Sequence, residues 1–92
     1  DSDFSHIVGH QSWFRRADLR GSNFEQTQMA ESVFDSSQLC GVSFRGSYLP
    51  KASFFDANVQ DADFSQCNLV LANLSHLDLT RTNLRGAMLH NA

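Results

Sequence analysis

The chain has no apolar run approaching the roughly 20 residues that span a bilayer, and its start lacks the basic-then-apolar pattern of a secretory leader. It also lacks a basic patch: seven Lys and Arg are scattered among ten Asp and Glu, for a net charge of −3. That distribution argues against nucleic-acid binding, and it is too weak to make a strongly acidic surface. Only two cysteines are present, Cys40 and Cys67. Because bridged Cα atoms must lie within about 7 Å with converging side chains, and these two fall in different phases of the pattern described below, two free thiols are expected. The cytoplasm is the expected compartment. The first residue is Asp1 rather than methionine, and the chain is expected to be one domain of a longer, bacterial protein.

What the chain does have is a period. From Phe14 every fifth residue is apolar: Phe14, Leu19, Phe24, Met29, Phe34, Leu39, Phe44, Leu49, Phe54, Val59, Phe64, Leu69, Leu74, Leu79, Leu84 and Leu89. Five matches neither the 3.6-residue period of a helix nor the 2-residue period of a strand. It is the mark of a solenoid, in which each unit packs on its neighbours and these sixteen residues form a continuous core.

Taking the apolar residue as the centre of each unit, small side chains recur two residues before it, as at Ala17, Ser22, Thr27, Ser47, Ala62 and Cys67. Asp or Asn often stands immediately before it, as at Asp18, Asn23, Asp63 and Asn73, and Gly21, Gly41, Gly46 and Gly86 fall two residues after it. A large and a small inward residue two apart on extended chain can fill a narrow interior. The polar or glycine pair that follows is suited to a corner, where positive φ or local satisfaction of backbone groups is needed.

Ala17-Asp18-Leu19, Ala62-Asp63-Phe64 and Ala72-Asn73-Leu74 resemble the motif of the pentapeptide-repeat proteins, and the resemblance runs from about Ser12 to Leu89. It implies an all-β fold, a right-handed quadrilateral parallel β-helix of four to five coils. Phenylalanine recurs every ten residues up to Phe64, so a four-sided coil stacks Phe24, Phe44 and Phe64 on one wall and Phe14, Phe34 and Phe54 on the opposite one. All later centres are leucine, which predicts a narrower or differently turned last coil. Residues 1–11 break the frame, with Ile7 at a small site and Gly9 at a centre. They are expected to form an irregular segment or cap, leaving 12–92 as the β-helix. Leu77 is also large where a small residue belongs.

Little is left over for chemistry. His6, His10, His76 and His90 have no completing ligand pattern and read as solvent-facing. The glycines flanking Val42-Ser43-Phe44-Arg45 mimic a phosphate loop, but the lysine it needs is missing. Asn73-Leu74-Ser75 is formally a glycosylation sequon whose asparagine occupies the repeat's own Asp/Asn position. No nucleophile and base are paired. No catalytic residue, cofactor or metal is therefore expected. Arg15 with Asp35, and Glu25 with Arg45, are expected to meet between coils as surface pairs contributing about 0–1 kcal/mol each.

The outward apolar residues are more informative. The wall centred on Met29, Leu49 and Leu69 carries Val8, Ala30, Tyr48, Pro50, Val70 and Met88, with Leu71 at its corner, and the wall centred on Phe34 adds Trp13, Val33 and Phe55. Their concentration on two adjacent walls predicts a contact face for a protein partner or a second copy. The expected function is a non-catalytic interaction module, a rigid rod presenting that face or pairing end to end. The alternative implied by the resemblance is an acidic DNA mimic binding type II topoisomerase, as in family members related to quinolone resistance. Here Asp3, Asp18, Asp63 and Asp78 are interrupted by Arg15, Arg16, Arg20, Arg81 and Arg85.

Overall fold

A computed structural model describes residues 2–92. Parallel bridges join residues twenty apart, as in Trp13↔Val33↔Ser53↔Asn73 and Val8↔Gln28↔Tyr48↔Asn68↔Met88, so one coil is four five-residue units. Each layer is tied to the next in both directions. The Phe14 N–H donates to the Val33 carbonyl at 2.7 Å, and the Val33 N–H donates back to Ser12 at 2.9 Å. A lone unit has no such partners, which is why the fold exists only as a stack.

The corners explain the rest of the frame. The N–H three residues after a centre returns to that centre's carbonyl, as from Ser32 to Met29 at 3.2 Å, while the residue two after the centre takes positive φ. This is the arrangement of a type II turn, which favours glycine at that place. Gly21, Gly41, Gly46 and Gly86 adopt it, but so do non-glycine residues including Lys51 (φ 60°) and Leu71 (φ 62°). The Asp/Asn preference has a separate cause. The outward N–H two residues further on has no ladder partner, and the side-chain oxygen accepts it: Glu25 to Asn23 at 2.8 Å, Ser65 to Asp63 at 2.8 Å and Ser75 to Asn73 at 3.0 Å. Asn73 is thus used by its own corner, as its place in the repeat predicts.

Inside, the phenylalanines stack as two columns. Phe24, Phe44 and Phe64 lie 5.1 and 5.0 Å apart, and Phe14, Phe34 and Phe54 lie 5.2 and 5.0 Å apart, each column meeting the other edge to face. Phe4 extends the first column, 4.7 Å from Phe24. Val42, which occupies a small site, is also fully buried. Cys67 lies in the small inward column as expected, where its thiol donates to the Phe44 carbonyl at 2.8 Å.

Four features depart from expectation. The segment 2–11 is not irregular: Asp3↔Asn23 and Val8↔Gln28 are bridged, and His6 and Gln11 carry the corner φ. A Cβ on Gly9 would stand 2.8 Å from the Ser12 Oγ and 3.8 Å from the Ile7 side chain, so the neighbouring serine occupies the room beside this glycine. Asp1 lies outside the described residues. The molecule is a block of 29 × 25 × 21 Å rather than an elongated rod, since four and a half layers at about 4.8 Å each make it no longer than it is wide. The centres Leu79 and Leu89 are 36% and 40% exposed and Phe14, Leu74 and Leu84 are half-buried, because the end coils have a neighbour on one side only.

The fourth departure is at Leu77. Among the described residues the Leu19 wall is bridged at Asp18↔Gln38 and Gln38↔Asn58, but Asn58 and Asp78 are not bridged. The Leu77 N–H makes no turn bond, Arg81 does not take the positive corner φ, and Asp61 bonds to Arg81 at 3.0 Å, one residue out of register. The ladder is lost only around this leucine, which is large for its site, and resumes at Asp63↔Asn83 and Asn68↔Met88. The Val59 N–H, which has no backbone acceptor among the described residues, is therefore expected to exchange with solvent roughly fivefold faster than that of Leu39, bonded to Asn58 at 2.8 Å, as the loss of one hydrogen bond of about 1 kcal/mol implies. Equal rates by native-state hydrogen exchange would count against this local opening.

Candidate functional site

Because side chains alternate across extended chain, the residues flanking each centre face outward. On the Met29 wall they form two columns, Val8-Gln28-Tyr48-Asn68-Met88 and His10-Ala30-Pro50-Val70-His90. None of these ten positions is Asp, Glu, Lys or Arg, whereas each of the other three walls carries charge. Val8 is 67% exposed, Met88 56% and Tyr48 46%, while Pro50 and Val70 are half-buried between neighbours in their column. The Tyr48 ring meets His10 edge-on at 6.4 Å, and the His10 Nδ1 accepts the Ala30 N–H at 3.0 Å. Around the corner, Leu71 is 47% exposed, and Trp13, at 69%, is bridged to half-buried Val33. Phe55 does not join this surface. It stands on the far column of its wall, with its ring 4.9 Å from His76.

The charged residues are used locally. Asp18 pairs with Arg20 at 2.7 Å and Asp61 with Arg81 at 2.9 Å. The Arg20 side chain holds the Asp18 carboxyl down to about 2. The inter-coil pairs Arg15–Asp35 and Glu25–Arg45 do not form. The Asp35 carboxylate accepts the Ser53 hydroxyl and the Phe55 N–H, and Glu25 accepts the Ser43 hydroxyl at 2.9 Å. Asp3 and Asp63 stand on the Phe24 wall and Asp18 and Asp78 on the Leu19 wall, so the acids make no continuous stripe.

Among the described residues no three His, Cys, Asp or Glu side chains are placed to share a metal ion, and no helix is long and apolar enough to cross a membrane. Both cysteines are free thiols. Burial pushes the Cys67 thiol up to about 12, so little reactive thiolate forms there at neutral pH. Cys40, half-exposed at a corner, is expected to react with iodoacetamide in the native protein, and Cys67 only after unfolding; modification of both at similar rates would contradict the inward placement of Cys67.

The family profile described as "Pentapeptide repeat region" matches residues 9–92. Among solved structures, a pentapeptide repeat protein from the Arabidopsis thaliana thylakoid lumen is 25% identical with a TM-score of 0.69, over 90% of this chain and 61% of that one. HetL from Nostoc sp. strain PCC 7120, a pentapeptide repeat protein involved in heterocyst differentiation regulation, is 22% identical with a TM-score of 0.69, over 98% of this chain and 46% of that one. The chain thus spans about half to three-fifths of these neighbours, and one being a plant protein, the fold does not imply a bacterial source. No curated protein sequence matches it. The coils, as in these neighbours, wind right-handed.

Proposed function

The chain belongs to the pentapeptide-repeat family, and on that premise we propose that it is a non-catalytic interaction module whose Met29 wall pairs with a second copy of the same chain. The carrying observation is that this wall combines exposed Val8, Tyr48 and Met88 with a complete lack of acidic and basic residues in its outward columns. An uncharged surface can face its own image without like-charge repulsion, which is what an isologous dimer requires. The order of the column favours such a pairing. A two-fold axis across the wall at the Tyr48 layer sets Val8 against Met88, Gln28 against Asn68, and Tyr48 against its own copy. Leu71, Val33 and Trp13 extend the apolar surface round the corner.

Replacing Tyr48 and Val70 together with Asp puts like charges at the centre of that interface, and self-association is expected to weaken by about tenfold or more per buried charge. Light scattering over a concentration series measures this; an unchanged molar mass curve in the double variant would dispose of the pairing. The scattered acids weigh against the topoisomerase-binding alternative, so DNA supercoiling by gyrase is expected to proceed unaltered in the presence of the protein, and a changed supercoiling rate would support that alternative instead.

A further inference from the structure

The Phe24 wall carries a feature that self-pairing does not use. Its outward column after the centres runs Glu25, Arg45, Ser65, Arg85, stacked by main-chain bonds from Gly46 to Ser65 at 3.0 Å and from Gln66 to Arg85 at 2.9 Å. The short serine between two long arginines, and the missing side chain at Gly86, leave an open cleft of about 500 Å³ bordered by Arg45, Asp63, Ser65, Gln66, Asn83 and Arg85. The arginines are two layers apart, about 9–10 Å at sheet spacing, so both guanidinium groups can reach a ligand above Ser65.

Two observations indicate what that ligand is. Unlike Arg20 and Arg81, neither Arg45 nor Arg85 has a carboxylate within ion-pair distance among the described residues. Ser65, 8% exposed, borders the cleft, and its hydroxyl, which has no hydrogen-bond partner among the described residues, is open to solvent rather than sealed in the coil. Its backbone N–H is taken by the Asp63 carboxylate at 2.8 Å, while Asn83 uses its side-chain oxygen on the Arg85 N–H at 3.0 Å and keeps its amide N–H groups to offer. Two guanidinium groups, a hydroxyl and the Asn83 and Gln66 amides make a donor-rich set with one carboxylate at its edge.

We propose that this cleft binds a divalent oxyanion, a phosphate monoester or a dicarboxylate, forked between Arg45 and Arg85 and held at its base by the Ser65 hydroxyl. Planar guanidinium groups recognise such oxygens bidentately, and two of them match a charge of two. Asp63 opposes the ligand and sets its affinity below what the arginines alone would give.

The test is a chemical-shift titration of the wild-type chain with inorganic phosphate, with succinate and with chloride in parallel. Saturable shifts are expected at the Arg45 and Arg85 side-chain N–H groups and the Ser65 and Gln66 amides, with phosphate, succinate or both but not chloride; which of the two saturates identifies the source of the oxygens. Arg45→Gln and Arg85→Gln should each weaken binding about tenfold, the loss of one charge-assisted contact. Asp63→Asn, which keeps the oxygen that accepts the Ser65 N–H, should tighten it by roughly threefold or more. The proposal fails if no anion gives a saturable shift, if Arg15 and Arg16 shift as much as Arg45 and Arg85, or if Asp63→Asn leaves affinity unchanged. Among the described residues neither arginine side chain has a hydrogen-bond or ion-pair partner, so the variants should keep the wild-type unfolding midpoint, and a lower midpoint would also overturn the assignment.

Discussion

Phe44→Ala is expected to lower stability by about 3–5 kcal/mol, a large part of the roughly 5–15 kcal/mol that holds an ordinary domain folded. Phe44 is fully buried in the middle of the stack, 5.1 and 5.0 Å from the Phe24 and Phe64 rings and edge-on to Phe34 and Phe54 at 5.3 and 5.6 Å. Alanine would remove these four ring contacts and leave a ring-sized void in an interior one side chain wide. In a stack the damage is not local, because coils on either side hold together only through the layer between them. Phe44→Leu should cost only about 1 kcal/mol, since leucine fills most of the volume and already serves as a centre elsewhere. Leu84→Ala, in the half-buried last layer, should cost less than half as much as Phe44→Ala. Urea unfolding followed by far-UV circular dichroism ranks the three; equal losses for Phe44→Ala and Leu84→Ala would mean that the phenylalanine stack is not the centre of the core.

Ser47→Ala is expected to cost about 2–4 kcal/mol, although the repeat itself places alanine at the same frame position in Ala52, Ala57, Ala62 and Ala72. The buried Ser47 hydroxyl accepts the Thr27 N–H at 3.0 Å and the Thr27 hydroxyl at 2.9 Å, and it donates to the Phe24 carbonyl at 2.6 Å. The Thr27 N–H has no backbone acceptor among the described residues, so removing Ser47 strands two buried donors in the coil before it. Ser37 offers the contrast. Its hydroxyl only donates, to a Phe34 carbonyl that already accepts the Ser37 N–H at 3.2 Å, and Ser37→Ala should cost under about 1 kcal/mol. The Thr27→Ala, Ser47→Ala double variant should lose less than the sum of the two single losses, because one of the stranded donors is gone. Additive losses would show that the two hydroxyls are not coupled.

Ser47 and Ser37 also mark the limit of what could be read from the chain alone. The period, the two phenylalanine columns and the inward place of Cys67 were legible because each depends on one residue's size or polarity at one frame position. The links between coils were not, because they depend on pairs eighteen or more residues apart. Asp35 and Glu25 were expected to face arginines but accept serine hydroxyls and a backbone N–H that their frame positions do not advertise. The segment 2–11 looked irregular because Ile7 and Gly9 each break the frame, yet Asp3 and Val8 are bridged to the next coil and the Ser12 hydroxyl occupies the room beside Gly9. Leu77 is likewise large at a small site, and there the ladder opens between Asn58 and Asp78. On the surface, the apolar residues of the Met29 wall could be named from the frame, whereas Phe55 could not be set aside until its position against His76 was known. The arginine cleft was missed because its signal is a short residue between two long ones in successive coils, visible only once the column is stacked.

Function in this protein turns on which wall meets another chain. Chemical-shift mapping of the wild-type protein at low and high concentration tests this directly, residue by residue. Pairing through the Met29 wall predicts concentration-dependent shifts at Val8, Tyr48, Val70 and Met88, with Gln38 and Asn58 on the Leu19 wall unchanged. Spectra identical at both concentrations, or shifts confined to the Leu19 wall, would contradict it.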